Sequence, residues 1–273
     1  MSAGSEPPAR KFPLMLGRLP GVSGGGVRGL LRPQRHAADA HADASSPRVS
    51  LAGHGLDSAG VRARMVERLR DDGATHVEVL RAFAVVPRHT FVDAGLANQS
   101  YEDTSLPIGH GQTISKPSVV ARMLELLFNG ANARRDGHLG AVLEIGTGCG
   151  YQAALLSELG RRVISVERLK PLHDKARELL APLRSNRLRL VFGDGMLGHP
   201  PSAPYDSIIA AAVGSEIPAP WLEQLAVGGR IVAPVLRGAG AQVLVVVDRT
   251  EQGYVHSVDG AVKFVPLKSG LAR

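Results

Sequence analysis

Apolar positions recur with two different periods along the chain. Between residues 59 and 128 they are spaced three and four apart, which predicts helices over 59–70, 76–85 and 119–128. From residue 141 short apolar runs alternate with helical spacing. The runs predict strands over 141–145, 162–166, 188–192, 207–210, 230–235, 242–247 and 263–265, with helices over 151–159, 171–180 and 221–225. This alternation is typical of an α/β fold with a doubly wound, mostly parallel sheet. The last strands lack a helix between them and predict an antiparallel end.

The first 55 residues have no such period. They contain a single aromatic residue, Phe12, and seven basic residues against three acidic ones. A segment of this composition cannot bury enough apolar surface to offset the entropy of ordering it, so we predict a disordered basic extension over 1–55. The formal net charge of the whole chain is +7, which leaves residues 56–273 only mildly basic. That balance does not favour a nucleic-acid partner.

A second aperiodic segment, residues 93–117, is polar and contains glycines and prolines. A loop of this length inside a compact domain is usually functional. Ser115 stands just before Pro117 and the predicted helix, where a hydroxyl can also serve as a helix cap. The residues alone leave both interpretations of Ser115 open.

Glycines and acids follow the first strands of the sheet. Gly146, Gly148 and Gly150 come directly after the strand 141–145, where a ligand can approach bare backbone. Three acids accompany them: Glu144 within that strand, Glu167 at the end of the next, and Asp194 after the third. An acid at the end of the second strand is placed to bind a ribose diol. Acids favour the cationic S-adenosylmethionine over the pyrophosphate of NAD. The alternative is a tight turn with solvated acids.

Other residue types narrow the class of protein. Cys149 is the single cysteine, so no intrachain disulfide forms, and we expect a cytoplasmic protein. No apolar run reaches the length of a membrane span. The ten histidines show no metal-ligand spacing, so we expect no metal site. We also expect a monomer without a membrane or nucleic-acid partner.

Five short motifs follow one another between residues 60 and 270. They are Val-Pro-Arg at 86–88, Gly-Gln-Thr-Ile-Ser at 111–115, Leu-Glu-Ile-Gly-Thr-Gly-Cys-Gly at 143–150, Gly-Asp-Gly at 193–195 and Phe-Val-Pro-Leu at 264–267. In these motifs the chain resembles the bacterial protein-L-isoaspartate O-methyltransferases. The glycine motif is shared by a whole superfamily of methyltransferases, whereas the motif at 111–115 is specific to this family.

The resemblance implies both a fold and an activity. The fold is the seven-stranded, Rossmann-like sheet of S-adenosylmethionine-dependent methyltransferases over residues 56–273. Residues 56–130 form its helical and substrate-loop part, and 131–273 its cofactor-binding core. The implied activity is protein repair, in which a methyl group passes from S-adenosylmethionine to the α-carboxylate of L-isoaspartyl residues in damaged proteins and peptides. Two alternatives stay open: a related methyltransferase acting on a small molecule or RNA, and a catalytically inactive binding homologue.

The resemblance also assigns residues. Ser115 matches the active-site serine, and substrate contacts fall on Ile108, Gly109 and Thr113. The cofactor would be bound at its methionine end by Glu144, Gly146, Gly148 and Gly150, at its ribose by Glu167, and at its adenine by Asp194 and Gly195. Two residues depart from the family pattern. Lys116 replaces a frequent amide and either favours acidic peptides or points to solvent, the interpretation we prefer, and Ala211 replaces a frequent threonine.

Overall fold

A computed structural model describes residues 59–238 and 240–272. The extension predicted over residues 1–55 lies outside the described residues. The helices are α1 (Ala59–Asp71), α2 (Val77–Val85), α3 (Pro117–Phe128), α4 (Ala131–Asp136), α5 (Tyr151–Leu159), α6 (Lys170–Leu180) and α7 (Ala219–Gln224). The strands are β1 (Leu106–Gly109), β2 (Gln112–Ile114), β3 (Ala141–Ile145), β4 (Arg162–Glu167), β5 (Leu188–Phe192), β6 (Tyr205–Ala210), β7 (Leu225–Arg237), β8 (Ala241–Thr250) and β9 (Gly253–Ala261).

Within the described residues, seven strands form one sheet in the order β5-β4-β3-β6-β7-β8-β9. The first five in this order are mutually parallel, and β8 and β9 are antiparallel to their neighbours. The predicted doubly wound sheet with an antiparallel end is therefore confirmed. Strand β3 lies in the interior of the sheet, paired with β4 on one side and β6 on the other, and its Val142, Leu143 and Ile145 are therefore almost fully buried.

The position of β3 determines where a ligand can bind. The strand order reverses between β3 and β6, and at such a point the connections leave toward opposite faces and open a crevice. Parallel strands end at the same edge of a sheet, so the loops after β3, β4, β5 and β6 meet at this crevice. The glycines and acids singled out in the sequence stand in or next to those loops.

The helical part packs onto the sheet domain through a shared apolar core. Phe83 of α2 and Phe91 both meet the ring of Tyr151 of α5 edge-on, with ring centroids 6.2 and 5.6 Å apart respectively. All three side chains are at most 1% exposed. The substrate-loop part is therefore anchored to α5, the helix that follows residues 146–150, which we call the glycine loop.

Two predictions of local structure were wrong. Residues 93–117, predicted as a functional loop without regular structure, include the β1–β2 hairpin, whose turn places Gly109, His110 and Gly111 at positive φ. Strands of three and four residues are too short to show a period in the sequence. The last strand is β9, whereas the sequence predicted a last strand over residues 263–265. Residues 263–265 are instead an extended segment, and the Val265 carbonyl accepts a hydrogen bond from the Val213 amide at 2.8 Å. Most β9 side chains are exposed at the sheet edge, so its sequence carries little apolar pattern.

Candidate active site

A cleft opens at the crevice beside β3. Its walls are the β1–β2 hairpin, the loops after β3 and β4, and the segment 265–268. Seven of the predicted site residues line it, namely Ile108, Thr113, Ser115, Gly146, Gly148, Glu167 and Gly195. The other four predicted site residues do not line the cleft: Gly109, Glu144, Gly150 and Asp194.

The three glycines of the glycine loop allow positive φ, and two of them also allow close packing. Gly146, Gly148 and Gly150 have φ of 90°, 57° and 93°, a region that side chains disfavour. A Cβ on Gly148 would lie 3.2 Å from Ile108 Cδ1, so the loop and the hairpin approach closely across the cleft. A Cβ on Gly150 would instead lie 2.8 Å from Leu180 Cδ1. Gly150 thus allows α6 to pack and does not border the cleft.

Glu167 holds the glycine loop in place from the end of β4. Its Oε2 accepts a hydrogen bond from the Gly148 amide and its Oε1 one from the Leu169 amide, both at 2.9 Å. The side chain borders the cleft although the residue is only 5% exposed. Because the Gly148 amide already donates to a carboxylate, it does not offer a site for a phosphate.

Glu144 is wholly buried behind the loop. The Ser165 hydroxyl donates to its Oε2 at 2.5 Å, and the Thr147 hydroxyl lies 2.6 Å from that of Ser165. Burial raises the pKa of Glu144 to about 8, against the opposing effect of the Ser165 hydrogen bond. The carboxyl group is therefore mostly neutral at pH 7. The expectation of a charged acid in the wall of the cleft does not hold for Glu144.

The carboxylate of Asp194 accepts hydrogen bonds from two backbone amides. Its Oδ1 accepts from the Met196 amide at 2.9 Å and its Oδ2 from the Gly270 amide at 2.6 Å, which ties the end of the chain to the loop after β5. Gly195 does border the cleft, and a Cβ there would lie 2.5 Å from Ile145 Cγ2. Of the three acids, only Glu167 lines the cleft.

Ser115 does not cap the helix that follows it. The N-cap of α3 is Lys116, without a side-chain cap, and the carboxylate of Asp103 accepts from both the amide and the hydroxyl of Ser118 at 2.8 Å. The Ser115 hydroxyl has no hydrogen-bond partner among the described residues. The structural interpretation of Ser115 as a helix cap is therefore wrong, and its side chain is available to a ligand.

Arg88 belongs to the Val-Pro-Arg motif, but the sequence alone did not predict a function for it. It is fully buried, and its guanidinium donates to the carbonyl of Ser100 at 2.7 Å and to that of Ser115 at 2.8 Å. The guanidinium carbon also lies 4.9 Å from the centroid of the Tyr151 ring. Burial lowers the pKa of Arg88. Arg88 thus fixes the backbone at Ser115, and its place in the Val-Pro-Arg motif was the available signal.

Two other residues of the cleft have little reactivity of their own. Burial raises the pKa of the Cys149 thiol to about 11, which leaves almost no thiolate at neutral pH. Ala211 faces the glycine loop, where a Cβ on Gly146 would lie 3.6 Å from its own Cβ. The wall therefore has no hydroxyl at position 211.

The described ranges contain neither a cluster of metal ligands nor a helix that could span a membrane. No group of three or more histidine, cysteine, aspartate or glutamate residues is placed there to hold a metal ion. None of the helices in the same ranges combines the length and apolar character that crossing a membrane requires.

Comparison with known proteins agrees with this geometry. The family model for protein-L-isoaspartate(D-aspartate) O-methyltransferase matches residues 61–272. A protein-L-isoaspartate O-methyltransferase of Methylibium petroleiphilum is 57% identical over 99% of each chain, and one of Leptothrix cholodnii is 61% identical over 88% of this chain and 84% of its own.

Solved structures agree as well. One protein-L-isoaspartate O-methyltransferase has a TM-score of 0.68 at 27% identity and covers 77% of this chain and 67% of its own. A Plasmodium falciparum structure, described as a beta-aspartate methyltransferase in complex with S-adenosyl-L-homocysteine, shares the fold. Its TM-score is 0.65 at 22% identity, covering 76% of this chain and 98% of its own. The chain therefore belongs to the protein-L-isoaspartate(D-aspartate) O-methyltransferase family.

Proposed function

We propose that this chain methylates the free α-carboxylate of L-isoaspartyl residues in damaged proteins and peptides, with Ser115 as the residue that orients the acceptor. The Ser115 hydroxyl carries the proposal. It stands in the wall of the cleft across from the glycine loop, and its capping role is taken by Asp103. The β1–β2 hairpin, which ends directly before Ser115, is also what a relative acting on a small molecule or RNA would not need.

The residues around the cleft fit S-adenosylmethionine, which supplies the methyl group in this chemistry. Gly146 and Gly148 leave bare backbone for the methionine end, and Gly195, which packs directly against Ile145 at the border of the cleft, is assigned to the adenine. Glu167 is the one acid of the three in the wall and is assigned to the ribose hydroxyls. Glu144, Gly150 and Asp194 support these residues from behind, through the contacts described above.

The substrate carboxylate needs no general base. A free α-carboxyl group has a pKa of about 3.5 and is already ionised at neutral pH. What the protein contributes is orientation and exclusion of water. Ser115 donates a hydrogen bond to the accepting carboxylate, Ile108 and Thr113 form the same wall, and Gly109 shapes the hairpin turn beyond them.

The cellular setting is part of the proposal. A cytoplasmic enzyme is supported by the single, buried thiol of Cys149, which needs no oxidising compartment. The enzyme acts as a monomer, without a membrane or nucleic-acid partner. Sedimentation analysis of the purified chain tests the oligomeric state.

The activity is tested with two peptides of identical composition, one containing L-isoaspartate and the other L-aspartate. Transfer of a labelled methyl group from S-adenosylmethionine is expected to the isoaspartyl peptide alone. Equal labelling of both peptides would contradict the proposed selectivity, and labelling of neither would contradict the activity.

Replacing Glu167 by alanine is expected to weaken binding of S-adenosylhomocysteine by about 1–3 kcal/mol, because hydrogen bonds to a charged group are lost. Calorimetric titration measures the change. Glu158→Ala, which removes an exposed carboxylate 3.3 Å from Arg81, is the matched control and should bind normally. NAD should not bind the wild-type protein. Unchanged affinity of Glu167→Ala would remove Glu167 from the cofactor site.

Replacing Glu144 by glutamine is expected to flatten the dependence of stability on pH. The folded-state pKa is raised from 4.5 to about 8, so the folded protein retains a proton that the unfolded chain releases. The wild-type free energy of unfolding should therefore fall as the pH rises from about 4.5 to about 8. The free energy of unfolding, measured with urea at pH 5 and at pH 8, should fall by at least about 1 kcal/mol less in Glu144→Gln than in the wild type. Equal falls in the two proteins would show that Glu144 is ionised in the fold.

A further inference from the structure

A second cavity also borders Ser115. Its volume is about 320 Å³, and we call it the lysine groove. It is lined by Ser105, Ser115, Lys116, Val119, Ala261, Val262 and Lys263. Two of these seven residues are lysines and none carries a carboxylate. The groove is therefore a positively charged surface, part polar and part apolar, beside the proposed acceptor site.

Hydrogen bonds and an ion pair hold the two walls of the lysine groove. Arg122 of α3 donates to both oxygens of Asp259 of β9, at 2.6 and 3.1 Å, and so joins the helix wall to the strand wall. Gln242 holds the segment beyond β9, since its backbone carbonyl accepts from the Val262 amide at 2.9 Å and its side-chain oxygen from the Phe264 amide at 2.6 Å. The groove is thus preformed and does not depend on a ligand for its shape.

The lysine groove is continuous with the cleft. Ser115 borders both cavities. On the opposite side one stretch of chain lines the groove with residues 261–263 and the cleft with residues 265–268. The lysine groove thus offers a path for the residues that neighbour an isoaspartyl side chain at Ser115.

The charge of the groove is only partly neutralised. Lys116 lies 3.3 Å from Asp103, but its side chain is 45% exposed, and Asp103 also accepts two hydrogen bonds from Ser118. Lys263 is exposed and forms no ion pair among the described residues. The expectation that Lys116 only points to solvent therefore overlooks the cavity that it borders.

We propose that the lysine groove binds an acidic residue of the substrate polypeptide next to the isoaspartyl residue, so that the enzyme prefers acidic substrate sequences. The inference rests on the proposed function and specifies its substrate class. Lys263 and Lys116 provide the attraction, and an opposite charge brought to such a preformed surface improves both selectivity and the rate of association.

The test uses isoaspartyl peptides that differ in one residue, glutamate or lysine, placed two positions before or two positions after the isoaspartate. KM is measured for methylation, and Kd by fluorescence anisotropy of labelled peptide. On at least one side of the isoaspartate the glutamate peptide should have a KM and a Kd about 2- to 5-fold lower than the lysine peptide, the size expected of exposed ion pairs. The difference should shrink as salt is added.

The double variant Lys116→Gln with Lys263→Gln should lose this discrimination. Lys175→Gln, which removes an exposed lysine paired with Asp93 at 3.0 Å, should retain it. Equal constants for all wild-type peptides, or a preference that persists in the double variant, would overturn the proposal and leave the proposed function standing. Failure to methylate any isoaspartyl peptide would overturn the proposed function, while the Kd values would still decide the role of the groove.

Discussion

Replacing Ser115 by alanine is expected to lower kcat about 10²-fold while the Kd for S-adenosylhomocysteine changes little. The hydroxyl has no partner within the described residues and lines the cleft, so it is free to bind the accepting carboxylate. Losing one oriented donor in a desolvated site has an effect of this size. Steady-state kinetics on an isoaspartyl peptide and calorimetric titration with S-adenosylhomocysteine measure the two quantities.

Ser118→Ala is the matched control for Ser115→Ala. Ser118 stands three residues away and loses only its hydroxyl bond to Asp103, since its amide still donates to the same carboxylate. Its kcat should stay close to that of the wild type. Full turnover in Ser115→Ala would show that the hydroxyl does not orient the acceptor, and a fall in Tm with unchanged kcat would assign it a structural role instead.

Replacing Arg88 by methionine is expected to destabilise the fold by about 3–5 kcal/mol and to lower kcat in the fraction that stays folded. The carbonyls of Ser100 and Ser115 would lose buried donors, and an unsatisfied buried group costs about 1–3 kcal/mol. The Ser115 backbone would lose its tether at the same time. Urea unfolding gives the free energy, and single-turnover kinetics at low temperature gives the rate.

Arg88→Lys separates position from charge. Lysine keeps the positive charge but lacks the planar fork that reaches two carbonyls at once. The Arg88→Lys variant should therefore have a higher free energy of unfolding than Arg88→Met. Its kcat should still be reduced, with a nearly unchanged Kd for S-adenosylhomocysteine. Arg237→Met, at an exposed position at the end of β7, should match the wild type in both measurements. Wild-type kcat in Arg88→Lys would restrict Arg88 to a role in stability.

The succession of helices and strands from residue 141 could be predicted because each buried strand has a nearly continuous apolar run. Strand β3 has buried residues at four of its five positions and was predicted with its observed bounds. Strand β9 was missed because an edge strand buries few side chains, and its own are mostly exposed. The β1–β2 hairpin was missed because its strands are too short to show a period. Both missed elements lie where few buried positions recur, so no apolar pattern appears in the sequence.

The sequence by itself determined the fold class and the place of the ligand site, because both depend on patterns between near neighbours: apolar runs, glycines that need positive φ, and acids at strand ends. Only the tertiary structure decided what each acid does. Glu144 is neutralised by burial beside Ser165, and Asp194 is engaged by the amide of Gly270, 76 residues away in the chain. Glu167 alone of the three borders the cleft. Charge and exposure depend on partners brought together by folding, and spacing along the chain does not specify those partners.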